Sequence, residues 1–255
     1  MNAAVDLVRA EWTKLLSTKV FFWLLLVAAL MGGGFTALFT ALAGAQNGLP
    51  PVGSPEFTEV VAGVPAQVAV IPLVLGIIGM TQEYRHRTAT PTFLVTPRRG
   101  RVVVAKLLAY AVAGVAVAAV VVAVTVAVAS GYGSARGAAP DWTADTLGTL
   151  GRSGLALVVF AVIGVGVGAL VRNQVGAVVG SLVYLFVVES IIASIPATAD
   201  AYRFLPGGAL AAMTGTGGGG GIDLLTAWQG GLLLLGYGLV AAVLGTVLAV
   251  RRDVV

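Results

Sequence analysis

Of the 255 residues in this chain, 58% are apolar and only 10% are charged, against roughly 25% charged in ordinary soluble domains, so it lacks the polar surface a water-borne globule needs. The absence of cysteine excludes disulfides, thiolate metal sites and cysteine nucleophiles. The net charge of +4 would suit nucleic acid, but the basic residues stand at the ends of apolar runs rather than on one soluble face, so membrane topology accounts for them and no nucleic-acid partner is expected.

The composition predicts an all-α membrane protein with six transmembrane helices, an N-terminal amphipathic interfacial helix and both termini cytoplasmic. The first element, residues 1–19, reads as the interfacial segment. Within residues 3–19, Val5, Val8, Trp12, Leu15 and Leu16 fall on one side of a helix, and Asp6, Arg9, Thr13, Lys14 and Ser17 on the other. Leu7 lies off the apolar face. Such a helix serves as an anchor in the interface, with Trp12 at headgroup depth, or as a lever touching a partner.

Residues 20–255 form the membrane domain. Apolar runs of about 20 residues predict spans at Val20–Ala43, Val60–Thr81, Val103–Ser130, Arg152–Val171, Gly176–Ile195 and Ala227–Val250. The first imitates a signal peptide, with small residues at Ala41-Leu42-Ala43, but its apolar run is longer than the roughly 7–15 residues of a secretory core, so an uncleaved span is expected. The third is the longest and needs tilt or extension beyond the bilayer. An inside N-terminus places twelve of the fifteen basic residues in the cytoplasm and leaves Arg136, Arg152 and Arg203 outside, the asymmetry that marks cytoplasmic loops. Twelve of the fifteen are Arg, a bias of GC-rich bacterial genomes, so a multi-pass protein of a bacterial inner membrane is expected.

The densest feature is the loop Gln82–Lys106, which holds six of the fifteen basic residues. Polar chain starts abruptly at Gln82-Glu83-Tyr84-Arg85, Thr88 to Thr92 with Pro91 fits a short helix, and Pro97 and Gly100 break the chain before the third span. A knob of this kind either fixes orientation or docks a protein. His86 is the one histidine and reads as a solvated loop residue. Gly164, Gly166 and Gly168 imitate a dinucleotide fingerprint, but inside a span they fit small-xxx-small packing between helices. Glycines 230, 231, 236, 238 and 245 of the last span are expected to pack in the same way or to let helices slide. Glu189 is a carboxylate inside the fifth span and a candidate pathway residue, or else a structural hydrogen-bond partner or a residue at a misplaced span end. The outer loop Pro196–Thr226 has room for short helices, with Gly217–Gly221 as a linker.

The order of residues in the loop, Glu83-Tyr84-Arg85-His86-Arg87-Thr88 followed by Phe93-Leu94-Val95-Thr96-Pro97-Arg98-Arg99-Gly100-Arg101 and Lys106, resembles the first cytoplasmic loop of ABC-2 type transporter permeases. Arg87 stands where that family usually has Gly. Glu11-Trp12-Thr13-Lys14-Leu15 before the first span, Val171-Arg172-Asn173-Gln174 between the fourth and fifth, Phe204-Leu205-Pro206 after the fifth and Arg251-Arg252-Asp253 at the end extend the likeness. The resemblance implies a permease subunit of an ATP-driven exporter, paired with a second copy or a homologous permease and with a separate cytoplasmic ABC ATPase. That ATPase would dock on a coupling loop of Glu83, Tyr84, Arg85, Arg87, Thr88, Thr96, Pro97, Arg98, Arg99 and Arg101, with Arg172, Asn173 and Gln174 as a smaller second contact. It implies no cofactor in this chain, with ATP and Mg on the partner, and outward movement of a small hydrophobic or amphipathic substrate. Independently, Lys14, Lys19 and Lys106 all lack the context of a G-x-x-x-x-G-K-[ST] phosphate loop, so no intrinsic ATPase or other enzyme is expected. The alternatives are an ATP-independent secondary transporter, which would want more mid-membrane polar groups, and a non-transporting anchor or sensor subunit.

Overall fold

The computed structural model describes residues 3–45, 49–85, 99–216 and 223–251. Every regular element among them is helical, and six stretches are long and apolar enough to cross a membrane. Helix α1 (Ala3–Ser17) is separated from α2 (Lys19–Leu42) by Thr18 in an extended conformation. Along α2 the buried residues Ala28, Gly32, Thr36 and Thr40 recur every four positions, a stripe of small side chains that lets α2 approach its neighbour closely. Their hydroxyls are met within the helix, Thr36 donating to the Gly32 carbonyl at 2.7 Å and Thr40 to the Thr36 carbonyl at 2.8 Å. The opposite side exposes Trp23 and Leu30, as a lipid-facing surface should.

The second span is two helices, α3 (Pro55–Gln67) and α4 (Val70–Arg85), where the sequence predicts one helix from Val60 to Thr81. The break has a local cause. Pro72 has no amide hydrogen to give and its ring opposes the carbonyl four residues back, that of Val68. The Val68 carbonyl instead accepts from the Ile71 amide at 2.9 Å, and the Val68 and Ala69 amides donate to the Pro65 and Ala66 carbonyls three residues back. Helix α5 (Arg99–Ala135) is unbroken over 37 residues, about 55 Å at 1.5 Å per residue. It exceeds the predicted third span at both ends and the roughly 30 Å bilayer core.

Helix α6 (Ala144–Val171) begins eight residues before the predicted Arg152, because Thr143 caps it by accepting from the Thr146 amide and Asp145 stands in its first turn. It is the central element, packing on α3, α4, α5 and, farther along the chain, α10 (Pro206–Thr214) and α11 (Ala227–Arg251). The α4–α6 crossing is glycine on glycine. A side chain at Gly164 would strike the Leu73 carbonyl and lie 3.1 Å from Gly76 Cα, and one at Gly168 would meet Met80 Cβ at 2.9 Å. The Gly164–Gly168 run is therefore helix packing, as its position in a span predicts. Gly166 and Gly230 similarly face Ala241 and Ala209, whereas a side chain at Gly236 would meet nothing within 4 Å, so the packing expected of the last span's glycines fails there.

The fifth span is α7 (Gln174–Val183), a π turn (Tyr184–Val188) and α8 (Glu189–Ser194), where a single helix is predicted. It lies on the outside of the bundle, exposing Val175, Val179, Phe186 and Ile191. The connection after it holds α9 (Ala199–Tyr202) and α10. α10 packs against α11 and α6, so this loop contains the short helices for which its length has room. Gly217–Gly221 lies outside the described residues.

Candidate functional site

Alternation of the spans puts α1, the end of α4, the start of α5 and the α6–α7 turn at one end of the bundle. There α4 presents Gly79 and Glu83, and α5 presents Lys106 and Tyr110, each pair four residues apart and so on one face of its helix. Tyr110 is buried with its ring lying on Gly79, where any side chain would overlap the phenol. That close approach brings the two charged residues one turn nearer the loop into contact.

Lys106 is fully buried, with 0% exposure. Its ammonium donates to Glu11 Oε2 at 2.5 Å and to the Gly79 carbonyl at 3.3 Å, and pairs with Glu83 Oε1 at 3.0 Å. These three partners match the three hydrogens of an ammonium. Lys14 stands on the rim and contacts Glu11 Oε1 at 2.6 Å and Glu83 Oε1 at 2.9 Å. Two carboxylates and two ammoniums thus close a neutral ring that joins α1 to α4 and α5. Burial alone would depress the Lys14 pKa, but the hydrogen bonds and charges of Glu11 and Glu83 outweigh it and hold the group above its usual range. Buried charge is tolerable in this form because every ion has an opposite partner at hydrogen-bonding distance.

The ring changes the reading of α1. Glu11 and Leu15 are buried, and Val8 and Trp12 pack on the core, so the helix is docked on the membrane domain by one face. Leu16, expected on the apolar side, is exposed, since the packed face runs through 8, 11, 12 and 15. Sequence reasoning marked Glu83 but left Glu11, Lys14 and Lys106 out of the site. The signal was present only for Lys106, which like Glu83 stands within a turn of a predicted span end facing the same side, whereas Glu11 and Lys14 lie in the segment before the first span.

Of the other residues expected to form a coupling loop, Tyr84 and Arg85 close α4, while Arg99 and an exposed Arg101 open α5. Arg87, Thr88, Thr96, Pro97 and Arg98, with His86 and the short helix expected at Thr88–Thr92, lie outside the described residues. The segment expected to make the second contact, Arg172–Gln174, is a tight turn. Arg172 ends α6 with φ 54°, in the left-handed region, and Asn173 caps α7 by accepting from the Gly176 amide at 2.9 Å, with Gln174 the first helical residue.

Glu189 lies away from this end. It is 1% exposed, and its Oε2 accepts from the Gly207 amide at 2.8 Å. It thereby caps α10, whose own N-cap, Leu205, has no side chain able to do so. Beside it are two cavities of about 350 and 280 Å³, which share Phe160 and Leu185 as walls. No group of three or more metal-ligating side chains occurs among the described residues.

Residues 7–188 match the family described as ABC-2 family transporter protein. The match takes in all four members of the ion-pair ring and the Arg172–Gln174 turn, and ends one residue before Glu189. No curated protein matches the chain.

Proposed function

Because the chain belongs to the ABC-2 family of membrane transporter proteins, we propose that it is the permease subunit of an ATP-driven exporter in a bacterial inner membrane. Both termini face the cytoplasm, and a separate ABC ATPase carries ATP and Mg. A second copy or a homologous permease completes the membrane part, and the cargo is a small hydrophobic or amphipathic molecule. The observation that carries this reading is the buried ring of Glu11, Lys14, Glu83 and Lys106 at the root of the basic loop. A loop that only fixed orientation would need charge but no clamp beneath it. A loop that receives force needs a rigid base, and the ring fastens α1, α4 and α5 into one.

In this mechanism the ATPase docks on Glu83–Arg101, with Arg172, Asn173 and Gln174 as a smaller contact. Closure of the ATPase pair on ATP displaces the loop. The ring transfers that displacement to α4 and α5 together, and α4 passes it to α6 through their glycine contact. The chain itself performs no hydrolysis.

The test is reconstitution of the permease with the ABC ATPase encoded beside it, using wild type and an Arg98→Ala/Arg101→Ala variant that leaves the buried ring intact. The expected result is a stable complex whose hydrolysis rate changes on assembly, and a variant that stays folded but no longer assembles. Failure of the wild-type chain to bind any such ATPase would overturn the reading in favour of a secondary transporter or an anchor.

A further inference from the structure

The larger of the two cavities, of about 350 Å³, is walled by several spans at once. Leu73 comes from α4, Phe160 and Ile163 from α6, and Tyr237 and Ala241 from α11. The fifth span contributes positions 176, 177, 180, 181, 184 and 185, whose recurrence at four-residue spacing marks one helix face. None of the described residues that line the cavity carries a charge.

These walls define what they can hold. An ion set against them would lose its water and find no counter-charge, so ammonium and carboxylate groups are both disfavoured. An apolar cavity of about 150 Å³ takes one benzene ring, so about 350 Å³ has room for a body of two rings. Phe160, Tyr184 and Tyr237 offer aromatic surface for such rings. The Tyr237 hydroxyl is already engaged by the Phe204 carbonyl at 2.7 Å. Access is from the membrane, because Val171, Gly176, Gly180 and Tyr184 both line the cavity and are exposed. From Gln174 the lining positions of the fifth span reach about 16 Å along the helix at 1.5 Å per residue, about half of the bilayer core. In the orientation proposed above, that half is the cytoplasmic one. Val171 and Gly176, on either side of the Arg172–Gln174 turn, are both lining residues, so the segment proposed as the smaller ATPase contact lies at the foot of the cavity.

We propose that this cavity is a binding site, complete within one subunit, for an uncharged cargo the size of about two aromatic rings that enters from the cytoplasmic leaflet. This deepens the permease reading, on which it rests, by making the cargo neutral and placing its uptake inside the bilayer.

The experiment is photolabelling of the purified permease in nanodiscs with benzophenone, a neutral two-ring probe, and separately with its anionic and cationic analogues, para-benzoylbenzoate and para-benzoylbenzyl-trimethylammonium. Adducts on Tyr184 and Tyr237 are measured by peptide mass spectrometry and divided by those on Trp23, an exposed residue of α2 that does not line the cavity. The ratio removes the contribution of probe dissolved in lipid. Benzophenone is expected to give a ratio about tenfold or more above that of either charged probe, and one that falls with concentration as the site fills. Gly180→Leu adds a side chain to the lining face at a point where a Cβ meets nothing within 4 Å, so the fold has room for it and the cavity narrows. It should bring the benzophenone ratio down to that of the charged probes. Neither ATP nor an ATPase is present, so a failure here leaves the ATPase-docking reading standing, and a failure of docking leaves labelling measurable. A ratio independent of concentration, as a lipid tail filling the cavity would give, overturns the proposal. So does a charged probe that matches benzophenone, or an undiminished ratio in folded Gly180→Leu. The three probes on wild type decide alone if Gly180→Leu is not recovered folded.

Discussion

Lys106→Met replaces the buried ammonium by an uncharged chain of similar length and leaves the Glu11 and Glu83 carboxylates facing one another. Lys106 is fully buried and lies 2.5 and 3.0 Å from those two groups. At an effective dielectric constant near 20, charges about 3 Å apart interact by about 5 kcal/mol, and breaking a buried pair from one side typically costs about 3–5 kcal/mol after relaxation. Converted at about 2–4 °C per kcal/mol for a chain of this size, the melting temperature in nanodiscs should drop on the order of 10 °C. Lys106→Met/Glu83→Gln restores neutrality in the remaining Glu11–Lys14 pair, and should recover at least half of the loss. The pair then shows a coupling of about 2 kcal/mol in a double-mutant cycle. A Lys106→Met protein that melts within 2 °C of wild type (about 1 kcal/mol or less), or a double variant no better than the single, would refute the argument that the ring holds α1, α4 and α5 together.

Gly79→Ala places a methyl group on the Tyr110 ring, and overpacking of this kind should destabilise by about 1–3 kcal/mol, read as a lower melting temperature. Asn173→Ala removes the acceptor for the Gly176 amide and should cost about 1 kcal/mol, while Asn173→Asp should keep most of it. The Lys14 pKa is raised above its ordinary 10.5, so its contribution is complete below that value and is lost only as pH climbs through the higher folded value. Trp12 emission, measured with Trp23, Trp142 and Trp228 changed to Phe, should therefore stay constant from about pH 6 to 9 and shift to the red only above about 10.5. A shift near neutrality would contradict that assignment.

The six spans were legible because a run of about 20 apolar residues has few other uses, and their number is as expected. Their interruptions were not. Pro65 and Pro72 sit in a run that hydropathy alone reads as continuous, and the π turn at Tyr184–Val188 contains no Pro or Gly to announce it. The site was legible in part. Glu83 stood out beside the basic loop, but its partners are 69 and 23 residues distant in the chain, and only the α4–α5 crossing over Gly79 brings them together. Glu11 was assigned to neither face of the interfacial helix, because nothing in its own segment says that the helix face carrying it is packed on protein. Glu189 was legible as an unusual carboxylate. Its role at the start of α10 was not, since the amide it caps belongs to a helix without a capping side chain of its own.

The unbroken α5 has a mechanical meaning. One end of this rod carries Lys106, and Arg136, just past the other, donates to the carbonyls of Thr40, Ala41 and Ala43 at the close of α2. Two other spans are jointed, the second at Val68–Ala69 and the fifth at Tyr184–Val188. In the proposed coupling, a push delivered at the loop end is carried along this helix to the face where Arg136 ties it to α2. Both joints border the two cavities, Ala69 lining the smaller and Leu185 lining both. In that mechanism the continuous helix carries the motion and the interrupted spans are where it becomes a change in the shape of the cavities between them.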